Sequence, residues 1–389
     1  MNDTNQKIGF IDNSRLITES LVKAGADVFV GYPITPANLL YYYANKRFPS
    51  FFAAPDEITT VQLMTGFSAC SRIPVTATSF PGFALMIESI NMAYMMELPM
   101  VIVLVQRLGP ATGSATGGAQ GDISMVSNII SGGLAIPVFS VSDPVDNWKI
   151  SAKCVEMAVK LRTPVILITS KEEVMTQFSF DLNKLDEIKP IQRKFYEKDE
   201  AFKPYLADES LIPQFLPLTN TKHQVRYTAS THNSNGILQN STKEALDNTE
   251  RLHNKNIMHI KDYTFFKYDK QEGAEILIIS YGITSMAAIN AVETLRIEGI
   301  KISLLIVKTL FPIPIEYYNI VDEYNKIIFA EENLTGQYRK AMFGNQPSNK
   351  ISGVNKMGKM IDPEEIVLKF KELVRETRTK EMGGVNSEQ

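Results

Sequence analysis

Residues 100–105 (MVIVLV) constrain this chain more than any other stretch. They are wholly apolar, mostly branched and too few for a buried helix. They read as a strand covered on both faces, as strands of parallel sheets are. The strand delivers Gln106 and Arg107 into a loop carrying Gly109, Gly113, Gly117, Gly118 and Gly121. A charged residue released from such a strand into a glycine-rich loop points to a site at the carboxyl edge of a parallel sheet.

The flanking segments repeat the pattern. Residues 26–30, 51–54, 75–78, 136–141 and 164–169 read as further strands, with helices over 13–23, 55–72, 83–97 and 146–161. Asn13 and Ser14 are expected to cap the first helix, and Pro55 to sit in the first turn of the second. Strands alternating with helices across short turns predict a doubly wound α/β parallel sheet. From Ser170 to about Tyr268 the chain is polar, without long periodicity, and broken by Pro190, Pro204, Pro213 and Pro217. It reads as a long connection draped over a neighbour, or as plain linker. A second α/β unit follows, with strands over 275–280, 302–307 and 326–330 and a last helix over 363–377. The division expected is 8–190, a connection over 191–270, a second domain over 271–378 and a polar tail over 379–389.

At 389 residues the chain exceeds one ordinary core. A net charge of -3 gives no footprint for nucleic acid, and no apolar run approaches the ~20 residues that span a bilayer. The opening MNDTNQKIGF lacks the basic and apolar regions of a signal peptide, so a cytoplasmic location is expected. Cys70 and Cys154 are too few for an iron–sulfur cluster or a four-cysteine zinc site, and read as core thiols.

Two constellations carry chemistry. After the first strand stands GYPITP (31–36), where a dinucleotide site would need G-x-G-x-x-G. Its two prolines stiffen the turn and hold the Thr35 hydroxyl at a strand's carboxyl end; a plain strand-to-helix turn is the alternative. Asp56 and Glu57 open a largely apolar helix, which suits the positive end of its dipole. At the mouth of a buried helix, however, an acid needs a partner to stay ionised. Met86, Met92, Met95 and Met96 in the next helix read as core filler.

The series GYPITP, the acid after the second strand, ATSFPGFALMIES, VQRLGPATG, RYTASTHNSNG and EENLTGQ, in this order along nearly the whole chain, resembles the alpha subunit of 2-oxoacid:ferredoxin oxidoreductases, in its short 2-oxoglutarate synthase form. The resemblance implies a pyrimidine-binding thiamine diphosphate domain followed by a transketolase C-terminal-like domain. It implies that Glu57 hydrogen-bonds the cofactor's aminopyrimidine, that Arg107 clamps the substrate carboxylate, and that Thr35 donates to the same group. Pro33, Gly82 and Phe83 are implied beside the cofactor, and Thr112 beside the substrate. The reaction implied is CoA-dependent oxidative decarboxylation of a 2-oxoacid with reduction of ferredoxin, or its reverse.

The family's metal-diphosphate signature, Gly-Asp-Gly with a later Asn, is absent, and Gly121-Asp122-Ile123 is not it. Mg2+, the diphosphate and a [4Fe-4S] cluster are therefore expected on a beta subunit, with gamma and ferredoxin-like delta subunits as further partners. Alone, the chain is expected to be inactive. Where 2-oxoglutarate-type relatives tend to read Gly-Leu-Pro-Thr-Lys, this chain has Gly113-Ser-Ala-Thr-Gly117. The pattern as a whole favours 2-oxoglutarate. The missing lysine keeps open a branched-chain 2-oxoacid or pyruvate, and a non-catalytic scaffold subunit is the remaining alternative.

Overall fold

Residues 100, 102 and 104 face one layer of the molecule and 101, 103 and 105 the other, all of them buried. The computed structural model of the chain describes residues 7–384. Its first part runs β1 (Ile8–Asp12), α1 (Asn13–Lys23), β2 (Val28–Gly31), α2 (Asn38–Arg47), β3 (Ser50–Ala53), α3 (Glu57–Ala69), β4 (Pro74–Thr78), α4 (Phe80–Met95), β5 (Met100–Gln106), α5 (Ile123–Ser127), β6 (Val138–Ser140), α6 (Pro144–Leu161) and β7 (Pro164–Ser170). Then come α7 (Lys171–Met175), β8 (Gln177–Asp181) and α8 (Lys243–Met258). The remainder comprises β9 (Phe266–Asp269), β10 (Ile276–Ser280), α9 (Thr284–Ile297), β11 (Ser303–Val307), β12 (Thr309–Phe311), α10 (Ile315–Asp322), β13 (Lys326–Glu331), α11 (Gln337–Phe343), β14 (Ile351–Asn355) and α12 (Pro363–Gly384).

The main sheet has the order β12-β6-β7-β5-β4-β2-β3, parallel except for β12. Helices α1, α2 and α6 cover one face, burying Ile17, Leu40 and Val155 against Val101, Val103 and Val105. Helices α3 and α4 cover the other, burying Val61, Met64, Phe83 and Met86 against Ile102 and Leu104. That second layer is continuous with Leu277, Leu305 and Phe329 of the second sheet and with Tyr338 of α11, so one apolar core joins the two. The second sheet has the order β14-β13-β10-β11-β9, and α9 and α12 close its far face through Val292, Leu295, Ile366 and Phe370.

Several local expectations are corrected. Asp12, the last residue of the unforeseen strand β1, caps α1 by accepting from the Arg15 amide, displacing Asn13 and Ser14 from that role. Asp56 caps α3 by accepting from the Thr59 amide, so Pro55 lies outside the helix and Glu57 is its first residue. Cys154 is buried in the core, but Cys70 is only half-buried at the end of α3.

The polar connection is also more ordered than expected. It carries α7, β8 paired with β1, and the sixteen-residue α8. From α8, Lys255 (2.6 Å) and Arg251 reach the fully buried Glu97 carboxylate at the end of α4. Helix α12 continues through 379–384, the first part of the expected tail; residues 385–389 lie outside the described part.

Candidate active site

Strands β5, β4, β2 and β3 lie side by side and parallel, so their carboxyl ends share one edge. Arg107 leaves β5 there, Ser79 leaves β4, the Tyr32–Thr35 turn leaves β2, and Glu57 follows β3 by a short loop. Arg107 is buried, and its Nη1 donates to the backbone carbonyl of Thr35 at 2.5 Å. The Thr35–Pro36 peptide that follows is cis. The turn foreseen as a mount for the Thr35 hydroxyl thus also holds the guanidinium, through main chain.

Glu57 is 7% exposed. It packs against the first turn of α4, where Gly82 leaves room for it: a β-carbon at 82 would stand 2.5 Å from Glu57 Oε1 and 2.3 Å from Thr78 Oγ1. No donor among the described residues hydrogen-bonds the Glu57 carboxylate. A buried carboxylate with unspent acceptor capacity fits a donor-bearing ring such as an aminopyrimidine.

The other expected residues divide. Gly82 belongs to this cradle. Phe83 is wholly buried in the core beside Val61 and Met64. Pro33 is exposed in the turn before Thr35. Thr112 is exposed at the tip of a loop closed on itself by Leu108 N to Gly117 O (2.8 Å) and Ser114 N to Leu108 O (2.9 Å). Gly113 permits that closure, since a β-carbon there would collide with the Leu108 carbonyl. Among the described residues no hydrogen bond joins Thr112 to Arg107 or Glu57.

Three residues were not foreseen. Asp122 is buried, and burial raises its carboxyl to about 7 although Gln106 and Arg107 both oppose the shift. Burial in turn lowers the Arg107 guanidinium, with Asp122 opposing. The two influence each other, yet Asp122 Oδ2, Arg107 Nε and Gln106 Nε2 each lack a hydrogen-bond partner. The signal available in the sequence was slight: Asp122 is the lone charged residue between Arg107 and Asp143. Gln120 ties this segment to the second sheet, donating to the Tyr281 carbonyl (3.0 Å) and accepting from the Glu332 amide (2.8 Å). Burial raises the Glu332 carboxyl to about 7.

Asp122, Glu332, Asn333 and Gln337, with Phe80, Leu108, Leu334 and Met357, line a cavity of about 310 Å³ at the seam between the two sheets. A larger cavity, about 900 Å³, lies between α6 and residues 186–192 and contains none of the candidate residues. The geometry of the sheet edge, rather than cavity size, locates the site.

Residues 19–251 match the family described as pyruvate flavodoxin/ferredoxin oxidoreductase, thiamine diphosphate-binding, and residues 274–366 match pyruvate:ferredoxin oxidoreductase core domain II. The chain is 29% identical over 365 residues to the 2-oxoglutarate synthase subunit KorA of Methanocaldococcus jannaschii, covering 92% of this chain and 98% of that one. It is 27% identical over 373 residues to the ketoisovalerate oxidoreductase subunit VorB of Methanothermobacter marburgensis, covering 91% and 94%. Among solved structures it resembles the 2-oxoglutarate:ferredoxin oxidoreductase of Magnetococcus marinus with 2-oxoglutarate, coenzyme A and succinyl-CoA bound, at TM-score 0.87 and 26% identity. The match covers 95% of this chain and 66% of that one.

Proposed function

Because the chain belongs to the pyruvate flavodoxin/ferredoxin oxidoreductase family through its thiamine diphosphate-binding region, we propose that it is the alpha subunit of a multi-subunit 2-oxoacid:ferredoxin oxidoreductase. In this reading it takes part in the CoA-dependent oxidative decarboxylation of 2-oxoglutarate, or the reverse carboxylation. Thiamine diphosphate, when bound, supplies the carbanion chemistry that breaks the bond between a 2-oxoacid's carbonyl and carboxylate carbons. This chain's residues hold, orient and exclude water. Glu57, in the cradle of Gly82 and Thr78, is the residue to hold the aminopyrimidine ring. Arg107, fixed by the Thr35 carbonyl, presents its remaining donors to the substrate carboxylate.

The observation that carries this reading is the convergence of a buried, unspent carboxylate and a buried, anchored guanidinium on one edge of adjacent parallel strands. The electron carriers and the diphosphate's metal are assigned to a beta subunit. Two cysteines cannot ligate a [4Fe-4S] cluster, and among the described residues no group of three or more potential ligands is placed to hold a metal. Just after β2, in β3 and in α3 and α4 the chain exposes Tyr32, Phe52, Ile58 and Leu85, apolar side chains suited to burial by that subunit.

A second reading keeps the chemistry and changes the acid. No lysine or arginine follows Arg107 until Lys149, and the seam cavity is lined by the carboxyls of Asp122 and Glu332, the neutral polar side chains of Asn333, Thr335 and Gln337, and apolar groups, without a lysine or arginine. A distal carboxylate therefore gains no charge partner there from this chain, which favours a branched-chain 2-oxoacid. The experiment is anaerobic viologen reduction by the chain co-expressed with its neighbouring subunits, given CoA and thiamine diphosphate, with 2-oxoglutarate, 2-oxoisovalerate and pyruvate in turn. CoA-dependent reduction with 2-oxoglutarate preferred supports the first reading; preference for 2-oxoisovalerate replaces it by the second. No reduction by a complex shown to carry cofactor and clusters rejects both.

A further inference from the structure

At the amino ends of β5 and β7, a separate cavity of about 490 Å³ lies between the end of α6 and the polar connection. Arg107 leaves the other end of β5, so this edge is about 20 Å away, the length of a seven-residue strand. Four cations line the cavity: Lys160 and Arg162 at the end of α6, and Arg193 and Lys194 in the connection. Lys160 is paired with Asp262 at 2.8 Å. Arg162, Arg193 and Lys194 have no ion-pair partner among the described residues. The acids in the lining are engaged elsewhere. Glu156 pairs with Lys153 at 2.5 Å, and Asp208 accepts from the Ser210 amide at 2.9 Å.

The excess of positive charge continues inward. Arg162 is 3% exposed. Its Nε donates to the Glu97 carbonyl (3.3 Å) and its Nη1 to the carbonyls of Pro204 (3.1 Å), Pro213 (3.2 Å) and Gln214 (2.8 Å). Its Nη2 has no hydrogen-bond partner. The Glu97 carboxylate already accepts from Arg251 and Lys255, so one acid answers three cations. Arg193 is likewise held by neutral acceptors, Ser71 Oγ (3.1 Å) and the Arg72 carbonyl (2.7 Å). Both guanidiniums converge on the Phe215 ring, at 5.4 Å for Arg162 and 5.9 Å for Arg193. Buried cations steadied by carbonyls and a ring, without a counter-charge of their own, leave the counter-charge to a ligand.

We infer that this cavity is an anion site that takes a phosphate-bearing small molecule, apart from the edge where Arg107 and Glu57 stand. Guanidinium forks match phosphate oxygens, and Lys194 adds a mobile charge. The volume is that of a small-molecule pocket. Phe195, 40% exposed and in the same lining, offers a flat ring to a nucleobase. A bound anion would tie the connection to the end of α6.

The test is isothermal titration of the purified full chain at low salt with sodium pyrophosphate and, separately, with ATP. One saturable site per chain is expected. Lys194→Glu reverses an exposed charge and leaves the buried groups alone. It should weaken binding at least about tenfold, the scale of one charge-assisted contact, with the melting temperature of the free chain unchanged. Arg193→Gln should lower affinity likewise. Lys340→Glu makes the same change of net charge on α11 and should bind as the unaltered chain does. ATP binding more tightly than pyrophosphate, with the difference lost in Phe195→Ala, identifies a nucleotide. Equal binding identifies the phosphate group alone, and either result upholds the site. No saturable binding of either anion, full affinity in both Lys194→Glu and Arg193→Gln, or equal weakening by Lys194→Glu and Lys340→Glu overturns it.

Discussion

Arg107 and Thr35 meet across a strand: the guanidinium at the end of β5 donates to the carbonyl at the end of β2, with β4 between them. One end of a buried cation is thus fixed by main chain, which no side-chain substitution at 35 removes directly. The free donors point where the fold, rather than a rotamer, directs them.

That anchoring predicts that charge alone does not suffice at 107. Arg107→Lys keeps a cation but cannot both hold the Thr35 carbonyl and present a planar pair of donors. The expected outcome is a 2-oxoacid KM raised by about ten- to a hundredfold, the range for lost hydrogen bonds to a charged group. CoA kinetics should be unaffected, and steady-state kinetics with each substrate varied in turn checks this.

Gly82 and Gly66 give a matched pair. Gly82→Ala places a methyl within 2.5 Å of Glu57 Oε1 and must displace that carboxylate, so thiamine diphosphate affinity and turnover should fall sharply while the complex still assembles. Gly66, in α3, has nothing within 4 Å of a β-carbon, so Gly66→Ala should leave turnover alone and stabilise by about 0.5–1 kcal/mol. Cofactor titration and thermal melts of both variants decide it.

The Glu97 cluster makes a stability prediction. Burial alone would raise this carboxyl, but Lys255, Arg251 and Arg162 outweigh it and hold it at about 2. Stability from Glu97 is therefore present above the ordinary carboxylate range and lost as pH falls through about 2. Glu97→Gln strands Lys255 in the interior and should cost about 3–5 kcal/mol, read by denaturant unfolding.

The opposite sign is expected at Glu173. Burial pushes its carboxyl up to about 8, against the hydroxyl of Thr169 (2.9 Å) and the amide of Ser170 (3.0 Å). The folded chain retains a proton that the unfolded chain gives up near its ordinary value. This contribution is full at low pH and declines as pH rises toward about 8, by up to ~1.4 kcal/mol per pH unit. Glu173→Gln mimics the protonated form and should flatten that part of the stability–pH curve.

How far these features could be read from the sequence varies by element. The alternation across β5 and the apolar body of α3 were legible because both elements bury hydrocarbon, and the period of the burial matches the element. Helix α8 was not. Its buried stripe is Ala245, Asn248, Leu252, Lys255 and Asn256, so polar groups satisfied by distant partners occupy positions where a hydrophobic pattern is sought. Strand β12 is three residues long and crosses from the second unit to pair with β6, which no local signal announces. At the site, Glu57 and Arg107 stood out as charges at the ends of apolar elements. The part Thr35 plays through its carbonyl was invisible, because every residue has one. Asp122 and Glu332 were hidden because the cavity they line forms only where the two sheets meet.

The central claim is that Glu57 touches the chemistry of a thiamine diphosphate-dependent 2-oxoacid oxidoreductase. The direct measurement is 2-oxoacid-dependent viologen reduction by a purified Glu57→Gln complex, with subunit content, iron and cofactor quantified in the same sample. The account predicts turnover reduced by at least about a hundredfold, the usual scale of a proton-transfer contribution, in a complex that still assembles with its clusters. Turnover equal to that of the unaltered complex would contradict it.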